Sequence, residues 1–310
     1  MTYLLRGALL WLGAFFLIYV TVSIAVAGAW QFLRNRAATW EASSLYRLRA
    51  LPLTAAAVFV IFLVIPSFLQ LEQYQAEETV GRLGLGLAFG GIVVVAFGAI
   101  SALLALWKAR RFLATCPETR TWQLDNSGAS VVEIATAKPM LLVAGIYRPK
   151  LLISEQAVRL LLPCEMQAAI RHELAHASSH DNFKKLAFQV SRFPFLSGLE
   201  RSWIEAAELA ADDAAVTDEF SAVDLASALL KVATGTSAKE MPELATSLLP
   251  HTEQALRTRI ERLIAWQHRP ASAPRRQLLA LFILTGLGTL AVSYLPLLRQ
   301  VHELSELLIR

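Results

Sequence analysis

AAIRHELAHASSHDN, Ala168 to Asn182, is the stretch that decides how the rest of the chain is read. Apolar residues recur at helical spacing from Met166 to Ala177, so a helix is predicted there. Residues four apart on a helix share a face, which brings the imidazoles of His172 and His176 together about one turn apart. Two neutral imidazoles at that separation suit one zinc ion. Glu173, beside the first histidine, reaches a water held at the metal rather than the metal itself. The ion acidifies that water, and a neighbouring carboxylate takes its proton as a polarised carbonyl is attacked. The plain alternative is a solvated helix face that carries His and Glu by chance.

A third ligand would separate these readings. RSWIEAAELAADDAAV, Arg201 to Val216, has the Ala, Leu and Glu content of a helix. Its Glu208 and Asp212 are four apart on one face. Glu208 is placed to complete a metal site, with Asp212 one turn on to hydrogen-bond a ligand histidine and fix its tautomer. His180 and Glu205 are the other candidates. A continuous helix would carry His180 along the axis, away from the focus of the first pair, and no glycine interrupts Ala177 to His180.

The frame around this motif is apolar. The chain has 310 residues, 55% of them hydrophobic and 17% charged, with a mean hydropathy of +0.47. That composition points to membrane spans. Four segments reach the length of about 20 residues that a crossing needs: Leu4–Leu33, Leu51–Leu69, Leu83–Trp107 and Leu278–Leu298. Arg34, Arg36, Arg47 and Arg49 follow the first. Lys108, Arg110 and Arg111 follow the third, and Arg275 and Arg276 precede the fourth. Glu72, Glu77 and Glu78 lie between the second and third. The positive-inside rule then puts both termini outside and the stretch between spans three and four in the cytoplasm. The two cysteines, Cys116 and Cys164, are read as reduced thiols. The basic clusters flank spans, so they are assigned to anionic headgroups, and no direct nucleic-acid binding is expected. Lys184 and Lys185 are read as a solvated pair.

The expected organisation is residues 1–108 as three transmembrane helices, 109–274 as one cytoplasmic domain, and 275–310 as a fourth helix with a short outer tail. The domain opens on strand-like text, ASVVEIATA (Ala129 to Ala137) and MLLVAGIYRPKLLIS (Met140 to Ser154). GIYRP, Gly145 to Pro149, supplies the turn of a hairpin. Such a hairpin serves either as core or as an edge to which an extended substrate adds a strand.

AIRHELAHASSHDN, followed by ELAAD, resembles the membrane-bound gluzincin metallopeptidases, and more narrowly the peptidase unit of BlaR/MecR-type β-lactam sensor-transducers. AGIYRPKLLIS is similar to the hairpin before their HExxH motif, and Asp181 and Asn182 fall where that family carries a D-N pair. The resemblance implies an α-helical membrane protein with an α+β, zincin-like cytoplasmic domain. It makes His172, His176 and Glu208 ligands of one Zn2+, Glu173 the catalytic base, and Asp212 the partner of a ligand histidine. It implies a zinc endopeptidase of the bacterial cytoplasmic membrane that cleaves a regulatory protein such as a transcriptional repressor. RQVHELSELLIR, Arg299 to Arg310, departs from those sensors, which carry a penicillin-binding domain after the fourth span. Direct β-lactam sensing is therefore not expected, and a separate sensor protein is. HTEQALRTRIERL, His251 to Leu263, is similar instead to heat-shock and CAAX-processing gluzincins, which makes membrane-protein quality control the alternative. A non-catalytic membrane relay is the rival from another class; the intact Glu173 argues against it.

Overall fold

The structure is a computed structural model that describes residues 3–35, 40–72, 80–123, 130–136, 138–146, 149–235, 246–247, 253–266 and 294–304. Among these residues, three helices are long and apolar enough to cross a membrane: Tyr3–Leu33, Ala42–Leu71 and Arg82–Thr115. They contain the first three expected spans. The expected fourth span, Leu278–Leu298, lies outside the described residues except for its last turn. The chain divides into two compact units. One comprises Met1–Gln31, Ala50–Phe97 and Arg269–Arg310; the other comprises Phe32–Arg49 and Gly98–His268.

The first unit is helical because its sequence offers unbroken apolar runs with almost no charge. α1 (Tyr3–Leu33) carries Arg6, which is buried and paired with Glu72 at 2.5 Å. An ion pair of this kind lets a charged side chain persist in an apolar helix. The second span is not uniform. α2 (Ala42–Phe59) passes through a π-helical turn, Val60–Val64, into α3 (Ile65–Leu71). Pro66 accounts for the irregularity: it has no N–H to give to the carbonyl four residues back, Phe62. That carbonyl accepts the Tyr294 hydroxyl at 2.9 Å, and the Ser67 hydroxyl bonds the Leu298 carbonyl at 3.0 Å. Residues 294–304 are helical. The freed backbone group of one segment is thus answered by a side chain of another, as an apolar surround requires.

In the second unit, α4 (Arg82–Thr115) delivers the chain to a five-stranded sheet of order β1-β2-β4-β3-β5. The strands are β1 (Glu118–Gln123), β2 (Ser130–Ile134), β3 (Leu141–Ala144), β4 (Lys150–Ser154) and β5 (Thr246–Ser247). β3 and β4 form the expected antiparallel hairpin, with Tyr147 and Arg148 of its turn outside the described residues. β2 joins β4 in parallel. Alternation sorts the side chains to two faces. Val131, Leu141, Val143, Leu151 and Ile153 face the main core. Val132, Leu142, Ala144 and Leu152 pack with Phe112, Leu113 and Cys116 at the end of α4.

The main core is closed by α5 (Glu155–Leu160), α6 (Pro163–Ser178), α9 (Glu219–Gly235) and α10 (Glu253–Ile264). α7 (Asp181–Val190) and α8 (Ser197–Ala215) complete the unit. α6 starts cleanly. Pro163 opens it, and the Glu165 carboxylate accepts the Leu162 N–H at 2.8 Å. The same buried carboxylate is bound by Lys231 at 2.7 Å and Ser227 at 2.6 Å, both from α9. Glu165→Ala should remove the cap and leave Lys231 without its partner. A loss of about 2–4 kcal/mol is expected, read as a lowered midpoint in denaturant unfolding. An unchanged midpoint would show that α9 holds α6 without this bond.

Candidate metal centre

Helical spacing buries His172, Glu173 and His176 together on α6. The Nε2 atoms of His172 and His176 are 3.2 Å apart. Glu208, on α8, brings Oε2 to 3.6 Å from His172 Nε2 and Oε1 to 3.5 Å from His176 Nε2. These three residues form a group that could hold a metal ion, with ligand atoms all within 4.8 Å of one another. Tetrahedral ligation with bonds of about 2.0–2.1 Å separates ligand atoms by about 3.3–3.4 Å; the two Nε2 atoms lie close to that spacing, and each faces a different oxygen of the Glu208 carboxylate. Nitrogen, nitrogen and carboxylate oxygen are a donor set that zinc accepts.

Each ring is held from behind by a carboxylate. Asp181 Oδ2 lies 2.7 Å from His176 Nδ1. Asp212 Oδ1 lies 3.0 Å from His172 Nδ1, close enough for an ion pair but off the line of a well-directed hydrogen bond. Asp212 is where the spacing argument put it. Asp181 received no role from the sequence, yet its contact is the shorter. Lys184 steadies it, with Nζ 2.8 Å from Asp181 Oδ1. Asn182 bonds the carbonyls of Val143 and Gly145, both at 3.1 Å, and ties α7 to the end of β3.

His180 does not join the cluster. α6 ends at Ser178, and the chain turns through His180 at φ 56° before α7. The helix breaks without a glycine because a single residue takes the left-handed conformation, at an energetic cost. The His180 ring is exposed and 2.9 Å from the Ser178 carbonyl. Glu205 is exposed on α8.

Arg259 is the residue that the sequence reading missed. It is buried on α10 and grips Asp212 with two bonds, Nε to Oδ2 at 2.8 Å and Nη2 to Oδ1 at 2.6 Å. Its Nη1 donates to Glu208 Oε2 at 2.9 Å. The signal was present: Leu256, Arg259, Ile260 and Leu263 share one helix face by their spacing, and an arginine within an apolar stripe needs a buried anion. Lys185 also departs from the solvated reading. Its pKa is lowered by burial, and Glu208, Asp181 and Glu173 act against that shift.

The electrostatics follow from this crowding. Burial disfavours charge on both rings, but Asp212 and Glu208 lift His172 above the ordinary imidazole range. Glu208 and Asp181 likewise lift His176 to about 10. Burial alone would raise Glu208; His176 and Arg259 instead hold it well below the usual carboxylate range. Burial pushes Glu173 up to about 7, against the pull of the two histidines. Its Oε2 accepts the Val143 N–H at 3.1 Å, and among the described residues its buried Oε1 has no hydrogen-bond partner.

Compared with known proteins, the chain matches no protein-family model and shows no significant match to a curated protein. The site is therefore read from its own geometry.

His176 carries its proton near pH 7 and the pKa of His172 is shifted upward, whereas a ligand imidazole must be neutral. Metal binding is expected to release about one to two protons per ion at that pH. Affinity should weaken as pH falls and keep rising with pH up to about 10, where His176 loses its proton unaided. Titration calorimetry of the metal-free protein with zinc, in two buffers of different ionisation enthalpy, reads the proton count. A heat independent of the buffer would show that the rings are already neutral.

Proposed function

We propose that this chain is a membrane-anchored zinc endopeptidase of the gluzincin type, similar in plan to the peptidase unit of BlaR/MecR-type sensor-transducers. One observation carries the reading. The His172–His176–Glu208 cluster stands beside a buried carboxylate, Glu173, that has one oxygen pinned by Val143 and the other unpartnered. Three ligands leave a position open, whereas structural zinc is closed by four; among the described residues the group has three members.

A zinc ion bound there would acidify water and polarise a carbonyl. The chain's own residues do the rest. Glu173, poised near neutrality, takes a proton at Oε1 and returns it to the departing amine. Asp181 holds His176 in the tautomer that presents Nε2, and the Asp212 carboxylate, 3.0 Å from His172 Nδ1, draws the proton of that ring to the same side. Arg259 fixes Glu208 through one carboxylate oxygen and balances the charge of Asp212. The scaffold-only alternative gives no reason for burying an unpartnered carboxylate beside three ligand atoms, which costs free energy.

In this reading the peptidase unit faces the bacterial cytoplasm, both termini face outward, and the substrate is a regulatory protein such as a repressor. One observation favours the quality-control alternative: the segment similar to heat-shock and CAAX-processing gluzincins is the one that brings Arg259 into the site.

Two outcomes are expected. Glu173→Gln should retain zinc and fold yet lose cleavage by at least about 100-fold, the lower range for a positioned acid–base group. Comparing protein abundances in cells carrying this variant or the wild type then separates the readings: one or a few stabilised proteins for regulated cleavage, broad accumulation of misfolded membrane proteins for quality control. Wild-type cleavage in the variant would sink the catalytic assignment. Reporter fusions after Arg36, Glu78, Ser130 and Arg310 should in turn read inside, outside, inside and outside, and an external signal at Ser130 would reverse the topology.

A further inference from the structure

We propose that the turn between α7 and α8, Val190 to Leu196, is inserted among lipid acyl chains, so that the peptidase unit penetrates one leaflet of the bilayer. The first support is depth. Gly98 of α4 packs so closely on the C-terminal end of α7 that a methyl group there would collide with the Val190 carbonyl oxygen. Gly98 lies inside the apolar run of α4, and the ten positions from Gly98 to Lys108 span about 15 Å of helix axis. That is about half of a hydrocarbon core of roughly 30 Å. A segment pressed against Gly98 shares its depth. Ile100, Leu103 and Leu104 of α4 are exposed around it, with Leu103 at 64%.

The second support is chemistry. Phe195 is 67% exposed, and Phe183 and Val190 of α7 are 47% and 40% exposed. α7 is strongly amphipathic: its first residues, Asp181 and Asn182, are buried at the metal centre, while its last turn ends against Gly98. The single charge between Val190 and Leu199 is Arg192.

The third support is the backbone. Non-helical chain at membrane depth is tolerated only where protein satisfies its polar groups. Arg49, read from the sequence as a headgroup-facing residue at the cytoplasmic flank of the second span, is instead fully buried and does this at the end of α7, where the turn enters the leaflet. Its Nη2 donates to the Ser191 carbonyl at 2.8 Å and the Phe188 carbonyl at 3.5 Å, and its Nη1 to the Ser191 hydroxyl at 3.1 Å. The Ser191 hydroxyl in turn bonds the Ala187 carbonyl at 2.9 Å. Glu200 neutralises Arg49 through Nε at 2.8 Å, and the guanidinium lies over the Phe188 ring. This is the arrangement expected where water is absent to solvate a helix end.

The proposal rests on α4 crossing the bilayer and not on the peptidase reading. It is tested on the full chain with Cys164 replaced by serine, reconstituted in phosphatidylethanolamine–phosphatidylglycerol vesicles. A bimane label is placed at Phe195→Cys, with Val190→Cys as a second site should the first fail to fold. Leu103→Cys is the lipid-facing reference and Glu261→Cys the aqueous one. Acyl-chain nitroxide lipids should quench the turn label within about twofold of the Leu103 label, and iodide should leave it bright while quenching the Glu261 label. Iodide quenching of the turn label would overturn the proposal, as would shielding from both quenchers, the sign of a protein partner. An unquenched Leu103 label would overturn the membrane reading of α4 itself, and neither result bears on catalysis.

Discussion

Arg259 reaching Asp212 and Glu208 is the interaction on which the second unit turns. Two histidines and four acidic groups, Glu173, Asp181, Glu208 and Asp212, crowd the region between α6, α7 and α8. Unpaired charge inside a protein is costly, and breaking one partner of a buried pair costs about 3–5 kcal/mol. The elements are therefore arranged to bring cations to the cluster. α10 supplies Arg259 from a helix distant in sequence, and the start of α7 supplies Lys184 to Asp181. Arg259 also crosses the interface between α10 and α8, so one set of bonds fixes both the electrostatics and the packing. The apolar core under α6 gives affinity between layers; the ion pairs give register.

The same arrangement explains how much could be read from the sequence. The helix of His172 and His176, the second helix with Glu208 and Asp212, and the β3–β4 hairpin all follow from local periodicity, which is visible in a short window. The first three apolar helices are legible for the same reason. Arg259 is not, because its partner Asp212 lies on α8, 47 residues earlier in the chain. Asp181 was hidden by a different cause. Its approach to His176 needs the chain to turn sharply at His180, and a left-handed non-glycine residue leaves no compositional mark. The parallel pairing of β2 with β4 is likewise non-local. The π turn in the second span was foreshadowed by Pro66, but its partner Tyr294 was not.

Strand β3 links the core to the chemistry. All four of its residues are buried, yet its Val143 is held from two sides: the N–H by Glu173 and the carbonyl by Asn182. A backbone group is thereby made the fixed point against which the Glu173 carboxylate is aimed. Groups on a rigid strand position more precisely than those on loops. Asn182 sits next to Asp181, so the residue that anchors the strand and the residue that steadies His176 move as one. A displacement of α7 would loosen both.

The buried charges also bear on the order of assembly. Arg259 and Lys184 pair with the carboxylates around the histidines, and a proton on His176 offsets more of their charge, so the cluster does not depend on an ion to balance it. Small domains that owe their fold to zinc behave otherwise and stay unfolded without it. Here the core and the cluster can close first, and an ion bound there would exchange for protons between elements already packed. Maturation becomes a late ion exchange rather than a folding event. The chain without its ion would then be a folded species rather than an unfolded one.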